Sequence, residues 1–311
     1  MKIDVFLPDI AGMKTFLVIM VLFWNLENFY DTVDSGTGSS DTEFSPAGAR
    51  HWTGKRFGVK CAAIAKTLYY AAGEEGVDFP DIVCFAEVEN ASVVRRLVRS
   101  TLLEKENLGM VHFDSPDKRG IDVALLYRKD RMRLDGAVPL RLEEMRTRDI
   151  LLARFVLADG DSLAVTVNHH PSKYGGASSE PGRRQAVDRL LSAVDSLMDG
   201  HWDCQVAVGD FNDTPDSPVY APLDRVFVNL SAPLAESGAG SIRFNGKWEL
   251  IDQVFVTEKL AGKAVMKVVA APFLTEEDRA HGGVKPRRTY TGPAYHGGVS
   301  DHYPVTVTLD I

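Results

Sequence analysis

Cysteine is scarce in this chain. There are three in 311 residues, Cys61, Cys84 and Cys204, and no two form a C-x-x-C pair. A disulfide framework and a cysteine-bound structural zinc are therefore set aside. Long apolar runs are also missing. The longest considered, Phe16–Trp24 (FLVIMVLFW), falls well short of the about 20 residues that a membrane-spanning helix needs. Lys14 precedes the run, as in a signal peptide, but no small-x-small cleavage site follows, and the polar stretch Asn25-Leu26-Glu27-Asn28 comes directly after it. It reads as a buried first strand. A cytoplasmic location is expected, with export as the alternative if the run acts as a signal. A surplus of positive charge is absent too: 35 Lys+Arg stand against 43 Asp+Glu, a formal charge of −8. A broad basic face for duplex nucleic acid is not expected, because counterion release needs many clustered cations.

What is present is an ordinary globular composition, 45% hydrophobic and 25% charged. Short β-branched segments recur at Asp81–Val88, Ile121–Tyr127, Leu151–Leu157, Leu163–Asn168, Cys204–Phe211, Leu250–Val256 and Tyr303–Leu309, and their composition predicts strands, several buried on both faces. Helical spacing predicts a helix over Lys55–Ala72, capped by Thr53, with Val59, Ala62, Ala63, Lys66, Leu68 and Tyr69 around it. A second runs over Arg183–Met198, with Ala186, Val187, Leu190, Leu191, Val194 and Leu197 on one face, and a shorter one covers Ala91–Val98. Two regions read as irregular: Asp31–Trp52, and Pro272–Gly298 with its Arg279, Lys285, Arg287 and Arg288. No linker or solenoid repeat divides the chain. Residues 1–19 are expected to be an extension or lead-in, and 20–311 one α/β domain.

The informative pattern lies at the strand ends. One apolar strand after another stops on an oxygen or imidazole donor: Asn25 and Glu27, Glu87 and Glu89, Asn168-His169-His170, and Asp210-Phe211-Asn212-Asp213. The last strand starts just after Ser300-Asp301-His302. If the strands are neighbours, these ends share one rim, and carboxylates so close repel one another unless a cation sits among them. An oxygen-rich set without cysteine favours Mg²⁺ or Mn²⁺ over zinc. Each piece alone has a plainer reading. Glu87 can be a solvated residue after a strand, Asp210–Pro215 is turn chemistry, Asp301 a loop residue, and His169 with His170 one half-buried and one exposed ring. Asp252, inside an apolar strand, is harder to dismiss, since a buried carboxylate needs a partner.

Taken in order, Trp24–Asn28, Asp81–Val88, Asn168–Ser172, Gly209–Asp213, Ile251-Asp252 and Ser300–Pro304 resemble the endonuclease/exonuclease/phosphatase superfamily, from about Val21 to Leu309. The resemblance implies a four-layer α-β-β-α sandwich of two mixed sheets, and a divalent-metal-dependent phosphoester hydrolase using one or two Mg²⁺ ions, with Mn²⁺ as substitute. It implies Glu87 as principal metal ligand, with Asn25 and Asp301 beside it. Asp210 would activate the attacking water and Asn212 hold the phosphate. His302, supported by Asp252, would face the scissile phosphate, and His169 would protonate or steady the leaving oxygen. Arg148 and Ser172 are placed against substrate phosphate. One departure is Ala86, where the family usually carries a Gln before the metal-binding Glu. A nuclease or phosphodiesterase is the leading expectation, acting as a monomer on a phosphodiester or phosphomonoester, nucleic acid among the candidates, without membrane insertion. The alternatives are hydrolysis of small phosphorylated metabolites, inositol phosphates or lipid headgroups, and a non-catalytic binding module on the same scaffold.

Overall fold

In the computed structural model, residues 17–36, 40–143, 145–173 and 179–311 are described. The residues before Leu17, including Phe16 of the apolar run, lie outside them, so the expectation for the N-terminal extension is untouched.

The strands are β1 (Val18–Phe29), β2 (Ile82–Val88), β3 (Leu108–His112), β4 (Asp122–Arg128), β5 (Met132–Leu140), β6 (Ile150–Leu157), β7 (Ser162–His169), β8 (Gln205–Asp210) and β9 (Phe227–Asn229). They continue with β10 (Ile242–Phe244), β11 (Lys247–Glu249), β12 (Asp252–Thr257), β13 (Ala264–Val268), β14 (Thr275–Glu277), β15 (Val284–Pro286), β16 (Tyr290–Thr291), β17 (Ala294–Tyr295) and β18 (Val305–Asp310). The helices are α1 (Gly54–Glu74), α2 (Ala91–Arg99), α3 (Glu180–Asp199) and the short α4 (Ser231–Glu236) and α5 (Glu258–Ala261). Two six-stranded sheets result, ordered β13-β18-β1-β2-β4-β3 and β5-β6-β7-β8-β12-β9. Both are mixed, because β1 pairs β2 in parallel and β7 pairs β8 in parallel among otherwise antiparallel neighbours.

Strand periodicity of two builds the layers. In β1, Ile19, Val21 and Phe23 point into the core between the sheets, while Met20, Leu22 and Trp24 point outward to α1 and α2. In β7, β8 and β12, Val165, Val167, Val206, Val208, Val254 and Val256 fill the same middle layer. Ala164, Ala207 and Phe255 face the other way, onto α3. Helix, sheet, sheet and helix therefore stack as a four-layer sandwich, as expected. Each fully buried Val, Leu or Phe of the middle layer contributes roughly 1.5–3 kcal/mol.

One local reading of α1 holds and one is corrected. Thr53 does cap α1, accepting from the Arg56 amide. The buried face of α1, however, carries Phe57, Lys60, Cys61, Ile64, Ala65, Thr67 and Leu68, while Val59, Ala62 and Lys66 are exposed. Lys60 takes a buried place on this face because its ammonium reaches the Glu27 carbonyl and Thr289 Oγ1. The Pro272–Gly298 stretch, read as irregular, folds into two small hairpins, β14–β15 and β16–β17, which lean on the rim.

Candidate active site

The register brings the strand ends together. Asp210 is the direct partner of His169 across β7–β8 and of Asp252 across β8–β12. In the facing sheet, Asn25 of β1 lies beside Ala86 of β2, and β18 starts beside Phe23 of β1. Gly209 permits this closeness, since a Cβ there would run into the Asn168 carbonyl oxygen. Two bulges then aim side chains. The β1–β2 register shifts between Asn25 and Phe29, and the β2–β4 register shifts between Ala86 and Val88. Glu27, Asn28, Glu87 and Asn212 all adopt positive φ, from 46° to 59°. Non-glycine residues held this way cluster at sites where packing over-determines the backbone.

A cleft of about 420 Å³ opens on this rim, lined among others by Asn25, Glu87, Asp210, Asn212, Asp301 and His302. Asp210 is its shared neighbour. Asn25 Nδ2 donates to Asp210 Oδ2 at 3.0 Å, and the Asn212 amide donates to Oδ1 at 2.9 Å. His169 Nε2 and His302 Nε2 lie 3.8 and 3.9 Å from Oδ2. Burial pushes the Asp210 carboxyl up; His302 opposes this and Asp252 adds to it, leaving it at about 7. His302 Nδ1 meets Asp252 Oδ2 at 2.7 Å. Burial alone would lower the His302 pKa, yet Asp252, Asp210 and Asp301 hold it well above the usual value, so its imidazolium is the favoured form.

Glu87 sits on the other side of the cleft. Its two oxygens accept from Arg119 at 3.2 and 3.1 Å, and Oε2 also accepts from the Asn28 amide at 2.7 Å. Burial would raise its pKa, but the guanidinium, its hydrogen bonds and that amide hold it below the carboxylate range. Ala86 offers no amide here, and Arg119 with Asn28 does the positioning instead. Asp301 contacts Arg288 at 3.0 Å, and the same guanidinium grips Glu27 Oε1 at 2.7 Å. The Thr289 amide donates to Glu27 Oε2.

His169 also lines the cleft. Burial, then the nearby Arg148 and Arg119, push its pKa well below the usual value. A neutral ring can donate one N–H but has no imidazolium proton to deliver. Arg148 lines the cleft, but it is engaged with Asp117 at 3.3 Å and with the His170 carbonyl at 2.8 Å. Ser172 also lines the cleft. Asn212 Nδ2 donates to the His170 carbonyl, which leaves its second amide hydrogen for other partners.

Three residues escaped the sequence reading. Arg119 lies in a polar loop with no motif around it. Arg288 was noted in its loop, but one of its anions, Glu27, is 261 positions away in sequence. Lys60 was not singled out on its helix. It is buried behind the rim, donating to the Glu27 carbonyl at 2.7 Å and Thr289 Oγ1 at 3.0 Å, with the Phe29 and Trp52 rings about 6 Å away. Burial lowers its pKa to about 8, against the pull of Glu27 and Glu87. The sign follows from linkage. Between about pH 8 and the unfolded value near 10.4, the unfolded chain binds more protons than the folded one, so stability rises with pH. Wild type should gain roughly 2 kcal/mol between pH 7.5 and 10 in urea titrations relative to Lys60→Met, which lacks this titration.

The donor set fits a divalent cation. Glu27, Glu87, Asp210 and Asp301 line one cleft, Asp252 lies buried behind it, and ligand atoms of Asp210, Asp252 and His302 lie within 4.8 Å of one another. Asp252 Oδ1 is buried without a hydrogen bond, and the Asp252 carboxylate adds to the burial that raises the Asp210 pKa. At Glu87 a cation would share the carboxylate with Arg119 or displace it.

The sequence profile of the Endonuclease/Exonuclease/phosphatase family matches residues 20–311. The chain belongs to that family. Hydrolysis of phosphoester bonds is the activity that membership in this endonuclease/exonuclease/phosphatase group brings. No curated protein matches the chain in sequence. Among solved structures, truncated Caenorhabditis elegans TDP2 superposes with TM-score 0.61 at 12% identity, covering 94% of this chain and 98% of that one. A mannosyl-6-phosphatase from Bacteroides thetaiotaomicron gives 0.58 at 17%, covering 94% and 100%. D. rerio TDP2 complexed with single-strand DNA product gives 0.56 at 13%, covering 94% and 99%. At these identities the likeness is one of fold. No helix among the described residues is long and apolar enough to cross a membrane.

Proposed function

We propose that this family member is a divalent-metal-dependent phosphodiesterase of nuclease type, cleaving P–O bonds by in-line attack of water. The observation that carries the reading is Asp210, a buried carboxylate near pKa 7 that Asn25, Asn212, His169 and His302 all approach. A base titrating near neutrality suits proton abstraction from water, because it is both deprotonated and basic enough to accept. Asp210 takes that proton. The His302 imidazolium, held by Asp252, stabilises the charge that develops on the phosphate oxygens, and Asn212 offers its free amide hydrogen to the same oxygens. His169, neutral, donates one hydrogen bond and keeps the leaving oxygen oriented. Glu87, Asn25 and Asp301 would hold Mg²⁺ or Mn²⁺, which neutralises phosphate charge and lowers the pKa of bound water when present. Arg119 and Arg288 keep Glu87 and Asp301 in place.

The test is hydrolysis of bis-p-nitrophenyl phosphate in Mg²⁺ and in excess EDTA. Chelation is expected to reduce the rate at least about 10²-fold, with Mg²⁺ or Mn²⁺ restoring it; full activity in EDTA overturns the reading. A second reading, hydrolysis of a small phosphorylated metabolite, is favoured by the net charge of −8 and by a cleft volume typical of small-molecule sites. Plasmid nicking beside a panel of sugar and inositol phosphates separates the two.

A further inference from the structure

Away from the cleft, at the edge of the first sheet, β3 ends on His112 and β4 starts on Asp122, with the loop 113–121 between them. The His112 side chain is 4% exposed. Its Nε2 is sealed from solvent without a hydrogen bond, although Asp122 Oδ2 lies 3.3 Å away. Asp122 Oδ1 accepts from the Ser115 amide and hydroxyl at 2.9 and 2.5 Å, which turns Oδ2 toward the ring. Asp114 completes the group. One ring nitrogen of His112 and one oxygen from each aspartate lie within 4.8 Å of one another. Two ligands of a tetrahedral zinc ion, each at about 2.1 Å, stand roughly 3.4 Å apart, close to the His112–Asp122 separation. On the far side of Asp122, a void of about 10 Å³ separates it from Asp149. Asp149 is buried, neither of its oxygens is hydrogen-bonded, and Arg141 lies 3.6 Å away. Asp149 thus adds a third carboxylate beyond the void, with the Arg141 guanidinium on that carboxylate.

A salt-bridged imidazolium is the plainer alternative. It would use Nε2 against Asp122 Oδ2, and at 3.3 Å the two atoms are close enough to pair but do not form a hydrogen bond. We propose that His112, Asp114 and Asp122 form a second divalent-cation site, separate from the phosphoesterase cleft, selective for a transition-series ion such as Zn²⁺ over Mg²⁺. The mixed imidazole–carboxylate set carries that preference, since imidazole suits zinc and all-oxygen sets suit magnesium. The site clasps both ends of loop 113–121. That loop carries Asp117, paired with Arg148, and Arg119, paired with Glu87, so the ion would fix the root of the segment that holds two cleft residues.

The experiment uses the full chain. Protein loaded with Zn²⁺, then desalted, is assayed for metal by mass spectrometry and for thermal unfolding. Wild type is expected to retain about one zinc more per chain than Asp114→Asn or His112→Gln. Zn²⁺ at about 100 times the Kd of this site should raise the wild-type Tm by roughly 5 °C more than that of Asp114→Asn. Asp114 is 89% exposed, so its substitution does not threaten the fold. Wild type retaining no zinc, or both variants retaining as much as wild type, overturns the proposal. Neither readout depends on phosphoesterase activity.

Discussion

Asp210→Asn is expected to lower kcat for diester hydrolysis roughly 10⁴-fold while the protein stays folded. The amide is isosteric with the carboxylate, and its oxygen can still accept from Asn25 or Asn212. The stability cost is at most about one hydrogen bond, ~1 kcal/mol. Burying an ionised carboxylate among Asp252 and other acids is itself unfavourable, and the neutral amide removes that strain. Catalysis, by contrast, loses the one described group on the rim that combines basicity near neutrality with a position shared by His169 and His302. Single-turnover hydrolysis beside thermal unfolding checks both halves. A variant retaining a tenth of wild-type activity would assign the base elsewhere.

The reason Asp210 could be singled out from sequence is also the reason other residues could not. Strands announce themselves by composition and length, and a carboxylate that abruptly ends an apolar strand breaks a local pattern. Asn25, Glu87, His169, Asp210 and Asp252 were legible that way, and the sandwich brings them to one rim. Arg119, Lys60 and Arg288 carry no such break. A lysine on a helix and arginines in polar loops are the expected residues at their positions. Their role comes from the bulges at Glu27 and Glu87, which turn acids toward them, and bulges are a tertiary outcome of pairing register. Lys60 shows the limit most plainly. Helical spacing cannot distinguish a lysine facing water from one facing a buried carbonyl, and only the packing of α1 over the Glu27 turn decides. The neutral state of His169 was hidden for a related reason, since it depends on how fully the ring is enclosed and on the cations Arg148 and Arg119.

His302→Ala is expected to lower kcat about 10³-fold and, unlike Asp210→Asn, to destabilise the fold by about 3–5 kcal/mol. The difference lies in what each substitution leaves behind. Asp252 is fully buried, its Oδ2 pairs with His302, and its Oδ1 has no hydrogen bond. Removing the imidazole strands a charge in the core. The double variant His302→Ala/Asp252→Asn removes that charge and should recover most of the lost stability without recovering activity, because no imidazolium remains to face the phosphate. Urea denaturation and diester hydrolysis measured on the same four proteins, as a double-mutant cycle, report the two effects separately. Recovery of activity in the double variant would show that the imidazole acts only through the fold. Failure to recover stability would show that Asp252 is held by something other than His302.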